Sequence, residues 1–158
     1  MVDTELATVR YFAYGSNMQT SWLRARVPSA RPVGRARLPG WRLVCNKRSQ
    51  DGSAKANLVQ SPKDTVWGVL YAMNPSELPD LDRVEGGYQQ QTVQVIDDAE
   101  RQILVQIYVS AKLTSTEIVF DWYRDTIVAG ARDHGLPSDY VAFLEQIPAM
   151  PGVTRMES

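Results

Sequence analysis

Residues 65–73 read TVWGVLYAM, apolar at nearly every position. A strand with one wet face alternates and an amphipathic helix shows a stripe every three to four residues. A short unbroken apolar run predicts a strand buried on both sides. Upstream, Ser61-Pro62-Lys63-Asp64 is a turn by composition, with a short strand before it at Asn57–Gln60. Trp41–Cys45 reads as a further strand after the turn signal Leu38-Pro39-Gly40. Between them SQDGSAKA, 49–56, is polar and predicts a mobile loop. Downstream, Asn74-Pro75-Ser76-Glu77 has the chemistry of a helix start, with Asn74 able to cap, Pro75 at the first position and Glu77 as a capping-box carboxylate. Pro79 then requires a short helix or a later start, and Glu85-Gly86-Gly87 ends it. Tyr88–Ile96 predicts a strand with its glutamines outward and Thr92, Val93 and Val95 partly inward. After the turn 97–100, Ile103, Val105, Ile107 and Val109 alternate with more polar neighbours, a second strand.

The N-terminal part adds YFAYGSNM, 11–18. Val9–Tyr14 reads as a strand that stops at Gly15-Ser16. A short helix follows from Asn17 to about Arg26, with Ser16 or Asn17 as its N-cap and Pro28 as its stop. The last third is helical. Ile118, Val119, Trp122, Tyr123, Thr126 and Ile127 recur at helical spacing and predict a helix over 116–133, with Gly135 as its C-cap. Pro137 opens a second helix through Ile147. Strands first and helices later predict an α+β domain. Many short strands predict a sheet curled into a small mixed β-barrel with flanking helices. With no repeat, low-complexity tract or linker, residues 1–158 read as a single domain.

The bulk numbers narrow the function. Hydrophobic residues make up 44% and charged residues 22%, enough for a real core, and the net charge is -1, so no basic surface calls for nucleic acid. No apolar run approaches the ~20 residues that span a bilayer, and MVDTELATVRYF, with Asp3 and Glu5, lacks the apolar segment of a secretory leader. The single Cys45 favours a reducing compartment, and the expected location is the cytoplasm. Trp and Tyr residues are numerous enough to line a homodimer interface, but none marks one.

Few residues offer chemistry. His134, the only histidine, sits at a helix C-terminus, where a positive charge is favourable without any catalytic role. Cys45 lies inside an apolar strand, which favours a buried structural thiol over a Cys–His pair. One His and one Cys cannot by themselves assemble a zinc site. Ser16 lacks the glycine frame of a nucleophile elbow. The corner Tyr14-Gly15-Ser16 is more informative. A strand that ends in Gly-Ser and meets a helix start presents free N–H groups, and glycine lets a ligand approach them. That corner suits a carboxylate or developing oxyanion, and it equally suits an ordinary capped turn. Glu85 beside two glycines reads either as an exposed helix-end carboxylate or as one facing a cleft.

Three stretches in order, YFAYGSN (11–17), VWGVLYAMNPSELPDLDRVEGGY (66–88) and WYRDTIVAGARDHGLPSDY (122–140), resemble the γ-glutamylcyclotransferase (AIG2-like) family over nearly the whole chain. The likeness is to the branch acting on γ-glutamyl amino acids. It implies a mixed barrel with flanking helices, and a catalytic glutamate at Glu85. It implies substrate binding by Tyr11, Phe12, Ala13, Tyr14, Gly15 and Ser16, a pocket closed by Tyr123, a small-molecule γ-glutamyl substrate, and no metal or cofactor. The segment between Gly86 and Tyr88 is shorter than in animal enzymes of this kind, a departure that bears on the leaving group.

The implied reaction makes demands that these residues meet. The α-amine of a γ-glutamyl group attacks its own γ-carbonyl, giving 5-oxoproline and a free amine or amino acid. Tethering and alignment of the nucleophile contribute up to ~7–11 kcal/mol, so no covalent enzyme intermediate is needed. The amine must first lose a proton, which a carboxylate can take and return to the leaving nitrogen. An ordinary glutamate is too weak a base, so Glu85 is expected to be at least partly desolvated. Amides at 14–16 would hold the α-carboxylate or the oxyanion. Tyr123 would point its hydroxyl at the substrate while Trp122 turned inward.

Overall fold

The computed structural model describes residues 8–152; the segment that argues against a secretory leader, with Asp3 and Glu5, begins outside them. Five strands close into a barrel in the order β1-β3-β2-β4-β5. β1 (Val9–Ala13) runs antiparallel to β3 (Ala54–Met73) from Val9↔Met73 to Ala13↔Val69. Its other edge meets β5 (Gln102–Val109) in parallel at Tyr11↔Gln106. The remaining pairs, β2 (Arg31–Arg48) with β3 and with β4 (Gln89–Asp97), and β4 with β5, are antiparallel. The barrel is therefore mixed, and the α+β expectation with flanking helices holds.

The long β2–β3 hairpin changes how two turn signals are read. The strands are 18 and 20 residues long. Leu38-Pro39-Gly40 does not reverse the chain. It is a register shift between Pro39 and Trp41, with Gly40 at φ +85°. Likewise Gln60 faces Trp41 and Thr65 faces Pro39, so residues 61–64 bulge from a strand that continues past them. Ser61 closes that bulge by a hydrogen bond to Asp64. Turn-forming residues placed within a strand bend it, which lets so long a hairpin curl into a closed barrel. The 49–56 stretch is also shorter as a loop than its polarity suggests, because Ala54 and Ala56 already belong to β3 and are buried.

The helices differ in their starts. The segment after β1 is a 3₁₀ turn (Ser16–Met18) and a five-residue helix α1 (Thr20–Arg24). A second 3₁₀ turn (Pro75–Glu77) leads into α2 (Leu78–Val84), which accepts Pro79 in its first turn. Glu77 does not close a capping box. Its carboxylate instead accepts hydrogen bonds from the Ser29 amide at 2.9 Å and the Ser29 hydroxyl at 2.6 Å. α3 (Asp121–Asp133) begins five residues later than its apolar spacing predicts. Val119 and Phe120 form β6 instead, pairing in parallel with β7 (Ala149–Met150). At its other end Leu136 N–H reaches Ala131 O and Gly135 N–H reaches Arg132 O, the double bond of a helix ended by a left-handed glycine. α4 (Ser138–Glu145) completes the fold. In β4, Val95 is buried, but Thr92 is exposed on the wet side. Among the described residues no helix is long and apolar enough to cross a membrane.

The core packs Phe12, Tyr71, Leu70, Met73, Ile107 and Ile127 at the centre of the molecule. Cys45 is buried among apolar neighbours, and that burial pushes its thiol up to about 12. Gly68, within the apolar run 65–73, sits where β1 crosses β3. A Cβ there would lie 2.3 Å from the Ala13 carbonyl oxygen and 2.7 Å from the Phe12 ring. Gly68→Ala is expected to destabilise the protein by about 3 kcal/mol or more, because rigid backbone blocks relaxation. Urea unfolding followed by circular dichroism reads this directly, and a loss below about 1 kcal/mol would show that β1 can move aside.

Candidate active site

β1 delivers the corner. Beyond Ala13 the chain passes through Tyr14 and Gly15 into the 3₁₀ turn, where Gly15 holds the N-cap position and no side chain caps it. The expected capping role of Ser16 or Asn17 is therefore not found. Asn17 is buried, 6% exposed, and turns its amide inward. α3 lies hard against this turn because Gly130 has no side chain; a Cβ there would lie 2.5 Å from the Met18 carbonyl carbon. Tyr123 stands seven residues earlier on the same helix, hence on the same face, and reaches the corner.

Glu85 arrives from the far side as the C-cap of α2. Its Oε1 accepts a hydrogen bond from Asn17 Nδ2 at 2.7 Å and from the Tyr11 hydroxyl at 3.3 Å, and Asn17 Nδ2 also reaches the Tyr11 oxygen at 3.0 Å. Among the described residues no hydrogen bond falls on Oε2. The residue keeps some exposed surface, yet its carboxyl is enclosed. Burial pushes its pKa up to about 7, against the Tyr11 hydrogen bond, the Lys47 and Arg26 charges and the Asn17 hydrogen bond, which all favour the carboxylate. Desolvation outweighs four stabilising partners, so Glu85 holds its proton to a higher pH than an ordinary glutamate.

Tyrosines wall the rest. Tyr14 donates to the Tyr108 carbonyl, Tyr88 donates to the Ala56 carbonyl at 2.6 Å, and Tyr123 accepts the Ala56 N–H at 3.0 Å. The Tyr108 hydroxyl donates to Asp82. Burial raises the pKa of each of these phenols and of Tyr11, so all remain neutral. The inner chamber they enclose has a volume of about 30 Å³, with Gly15, Ser16 and Glu85 on its lining. It adjoins an outer cavity of about 710 Å³ that shares Ser16, Asn17, Glu85, Tyr88 and Tyr123.

Of the residues expected at the site, Tyr11, Tyr14, Gly15, Ser16, Glu85 and Tyr123 meet around this chamber. Phe12 and Ala13 do not. Both are fully buried in the barrel core, where the Phe12 ring packs over Gly68 and neither side chain lines the chamber. Trp122 is not in the core either; it lines the outer cavity, tilted against Trp22 at 6.2 Å between centroids. His134 stands outside the chamber, its Nε2 at 2.9 Å from Thr20 Oγ1, with burial lowering its pKa.

Sequence reasoning does not find Asn17, Ala56, Tyr88 or Tyr108. An asparagine directly after Gly-Ser invites a capping assignment, and only the fold shows that its amide faces Glu85. Ala56 carries no chemical signal at all, since its contribution is its backbone. Among the described residues no group of three or more His, Cys, Asp or Glu side chains could hold a metal ion.

The chain has clear relatives. A model of the AIG2-like family matches residues 65–144. The γ-glutamylcyclotransferase of Homo sapiens is 36% identical over 146 residues, covering 87% of this chain and 77% of the human one. That of Bos taurus is 34% identical over 148 residues, with the same coverage. A solved structure named γ-glutamyl cyclotransferase superposes with a TM-score of 0.88 at 31% identity, covering 95% of this chain and 94% of that one. The chain belongs to the AIG2-like γ-glutamylcyclotransferase family.

Proposed function

We propose that the protein is a γ-glutamylcyclotransferase acting in the cytoplasm. It converts a γ-glutamyl amino acid or peptide to 5-oxoproline and the free amino acid or peptide, with the whole chain 1–158 as one domain. One observation carries the reading: the Glu85 carboxyl, held at Oε1 by Asn17 and Tyr11, shares a small tyrosine-lined chamber with the glycine-serine backbone corner. All of these groups come from one chain, so a homodimer is compatible with the reading and not required by it.

The α-carboxylate and γ-carbonyl of the substrate fold towards the corner at Tyr14–Ser16, where a Cβ on residue 15 would come within 3.1 Å of Ala56 Cβ and narrow the approach. The substrate α-ammonium, which ordinarily titrates near a pKa of about 8, gives a proton to Glu85. Burial, by pushing Glu85 up to about 7, brings its proton affinity towards that of the amine. The freed amine attacks the γ-carbonyl carbon and a C–N bond forms. Backbone N–H groups at the corner and neutral tyrosine hydroxyls stabilise the oxyanion. As the intermediate collapses the old amide C–N bond breaks, Glu85 returns its proton to the departing nitrogen, and the ring nitrogen gives up its second proton to the carboxylate so freed, which passes it on to the released amine. Asn17 and Tyr11 hold Oε1, which leaves Oε2 for this exchange.

Mass spectrometry of 5-oxoproline from a set of γ-glutamyl dipeptides tests the reading, with Glu85→Gln alongside. Wild type should form product and the variant at least about a hundredfold less, the loss expected of an acid–base group. Equal turnover by both would remove Glu85 from the mechanism, and product from neither would remove the activity. Asn17→Ala takes away a hydrogen bond that favours the carboxylate. The acidic limb of its pH profile in kcat/KM should therefore move to higher pH; an unmoved limb would mean that Asn17 does not tune the base.

Stability carries the same signature. A glutamate with its folded pKa raised to about 7 keeps a proton that the unfolded chain has lost. Folding stability therefore falls as pH rises from about 4.3 to about 7 and is flat above that. Gln at 85 has no such proton. Glu85→Gln should gain on wild type by about 3 kcal/mol across that window, read by urea titrations at several pH values. A constant difference would mean that Glu85 titrates normally.

A further inference from the structure

The outer cavity carries charges that the cyclisation step does not use. Its lining includes four cations, Lys47, Lys55, Lys112 and Arg83, against two acids, Asp51 and Glu85. This excess is local, since the chain as a whole has a net charge of -1. Strand register sets it. Lys47 of β2 lies directly opposite Lys55 of β3 in the ladder, a like-charge pair that works against strand pairing. Lys112 is drawn beside them by the Arg48 N–H bond to its carbonyl at 2.8 Å and by the bridge between Lys47 and Leu113. At Gly87 a Cβ would lie 3.1 Å from Lys47 Nζ and 3.7 Å from Lys112 Cδ, so both side chains converge on the loop just after Glu85.

Two of the four are neutralised by carboxylates and two are not. Lys55 pairs with Asp51 at 3.3 Å and rests on aromatic faces, 4.5 Å from the Tyr123 centroid and 4.9 Å from that of Trp122. Arg83 pairs with Asp80 at 3.0 Å. Among the described residues neither Lys47 nor Lys112 makes a salt bridge. Burial lowers the pKa of Lys47, and repulsion from Lys112 and Lys55 adds to it against the pull of Glu85 and Asp51. Two ammonium groups, Lys47 and Lys112, converging on one loop without a carboxylate between them make a site for an anion.

We propose that this lysine-lined cavity is the leaving-group subsite and that it selects γ-glutamyl substrates whose leaving amino acid carries a second carboxylate on its side chain. The inference rests on the cyclotransferase reading, because it is the departing half of the substrate that extends outward from Glu85. A single amino acid backbone supplies one carboxylate, which Lys47, whose charge acts on Glu85, meets. Lys112 remains for another, since Lys55 is already paired with Asp51. The volume of about 710 Å³ leaves ample room for an acidic side chain.

The test compares kcat/KM for γ-glutamyl-glutamate and γ-glutamyl-glutamine, which differ by one charge at constant shape. Wild type should favour the glutamate substrate by roughly twofold to fivefold at low salt, the range for one partly exposed ion pair. The ratio should shrink in about 0.5 M salt. Lys112→Glu should lower or invert it, whereas Lys63→Glu, at an exposed lysine that does not line the cavity, should leave it alone. Equal rates for the two substrates in wild type would overturn the subsite and leave the cyclotransferase reading intact. So would a preference that survives Lys112→Glu and high salt unchanged. Turnover of neither substrate beside turnover of other γ-glutamyl dipeptides would overturn the subsite alone, and turnover of no γ-glutamyl dipeptide would overturn the cyclotransferase reading.

Discussion

β1 is hydrogen-bonded along both edges, antiparallel to β3 and parallel to β5, and the barrel closes through it. A five-residue strand held on two sides has little freedom to slide, since a slip of one residue would exchange the places of Phe12 in the core and Tyr11 at the chamber. The crossing at Gly68 adds a steric lock, with the Ala13 carbonyl and the Phe12 ring occupying the space a side chain would take. Everything at the candidate site inherits this rigidity. Tyr11 is on the strand, Tyr14 and Gly15 follow it immediately, and Asn17 lies in the 3₁₀ turn just beyond. Against that fixed frame the α2 C-terminus needs only to bring one carboxylate.

That carboxylate illustrates how competing effects shift a pKa. Two hydrogen bonds and two cations favour the charged form of Glu85, and loss of solvent opposes them and wins. Had the partners been removed, the group would be a poorer donor of its proton at neutral pH. Had the chamber been open, it would be too weak a base. The tyrosines contribute by exclusion as well as by hydrogen bonding: they stay neutral and occupy polar backbone groups such as those of Ala56, so the wall needs no water to satisfy it.

The inner and outer cavities divide the work physically. The inner chamber is tyrosine-walled, tight and neutral apart from Glu85, which suits proton transfer within one small group. The outer cavity is wide and carries unmatched positive charge, which suits recognition of whatever is attached to that group. A like-charge pair across a ladder lowers stability, and Lys47 and Lys55 form one at the mouth of the candidate chamber.

Period and composition alone determined much of this protein. The unbroken apolar run at 65–73, the alternation at 103–109 and the glycine past α3 announced strands, a helix end and an α+β barrel, because each depends on neighbours within a few residues. The roles of the Gly-Ser corner and of Glu85 were legible only through the resemblance to a family, since the residues themselves left each open. Where turn residues fell inside long strands, at Pro39-Gly40 and 61–64, the local signal was right about bending and silent about reversal, since the β2–β3 ladder decides whether a bend closes a strand or curls it. At Val119 the helical spacing yielded to a pairing with Ala149 about thirty residues away. Only tertiary structure could bring Glu85 to Asn17 across 68 positions of chain, separate Tyr11 from Phe12 by strand alternation, and gather Lys47, Lys55 and Lys112 at one mouth. Distance in space and loss of water are properties of the folded surface, and no short window of sequence contains them.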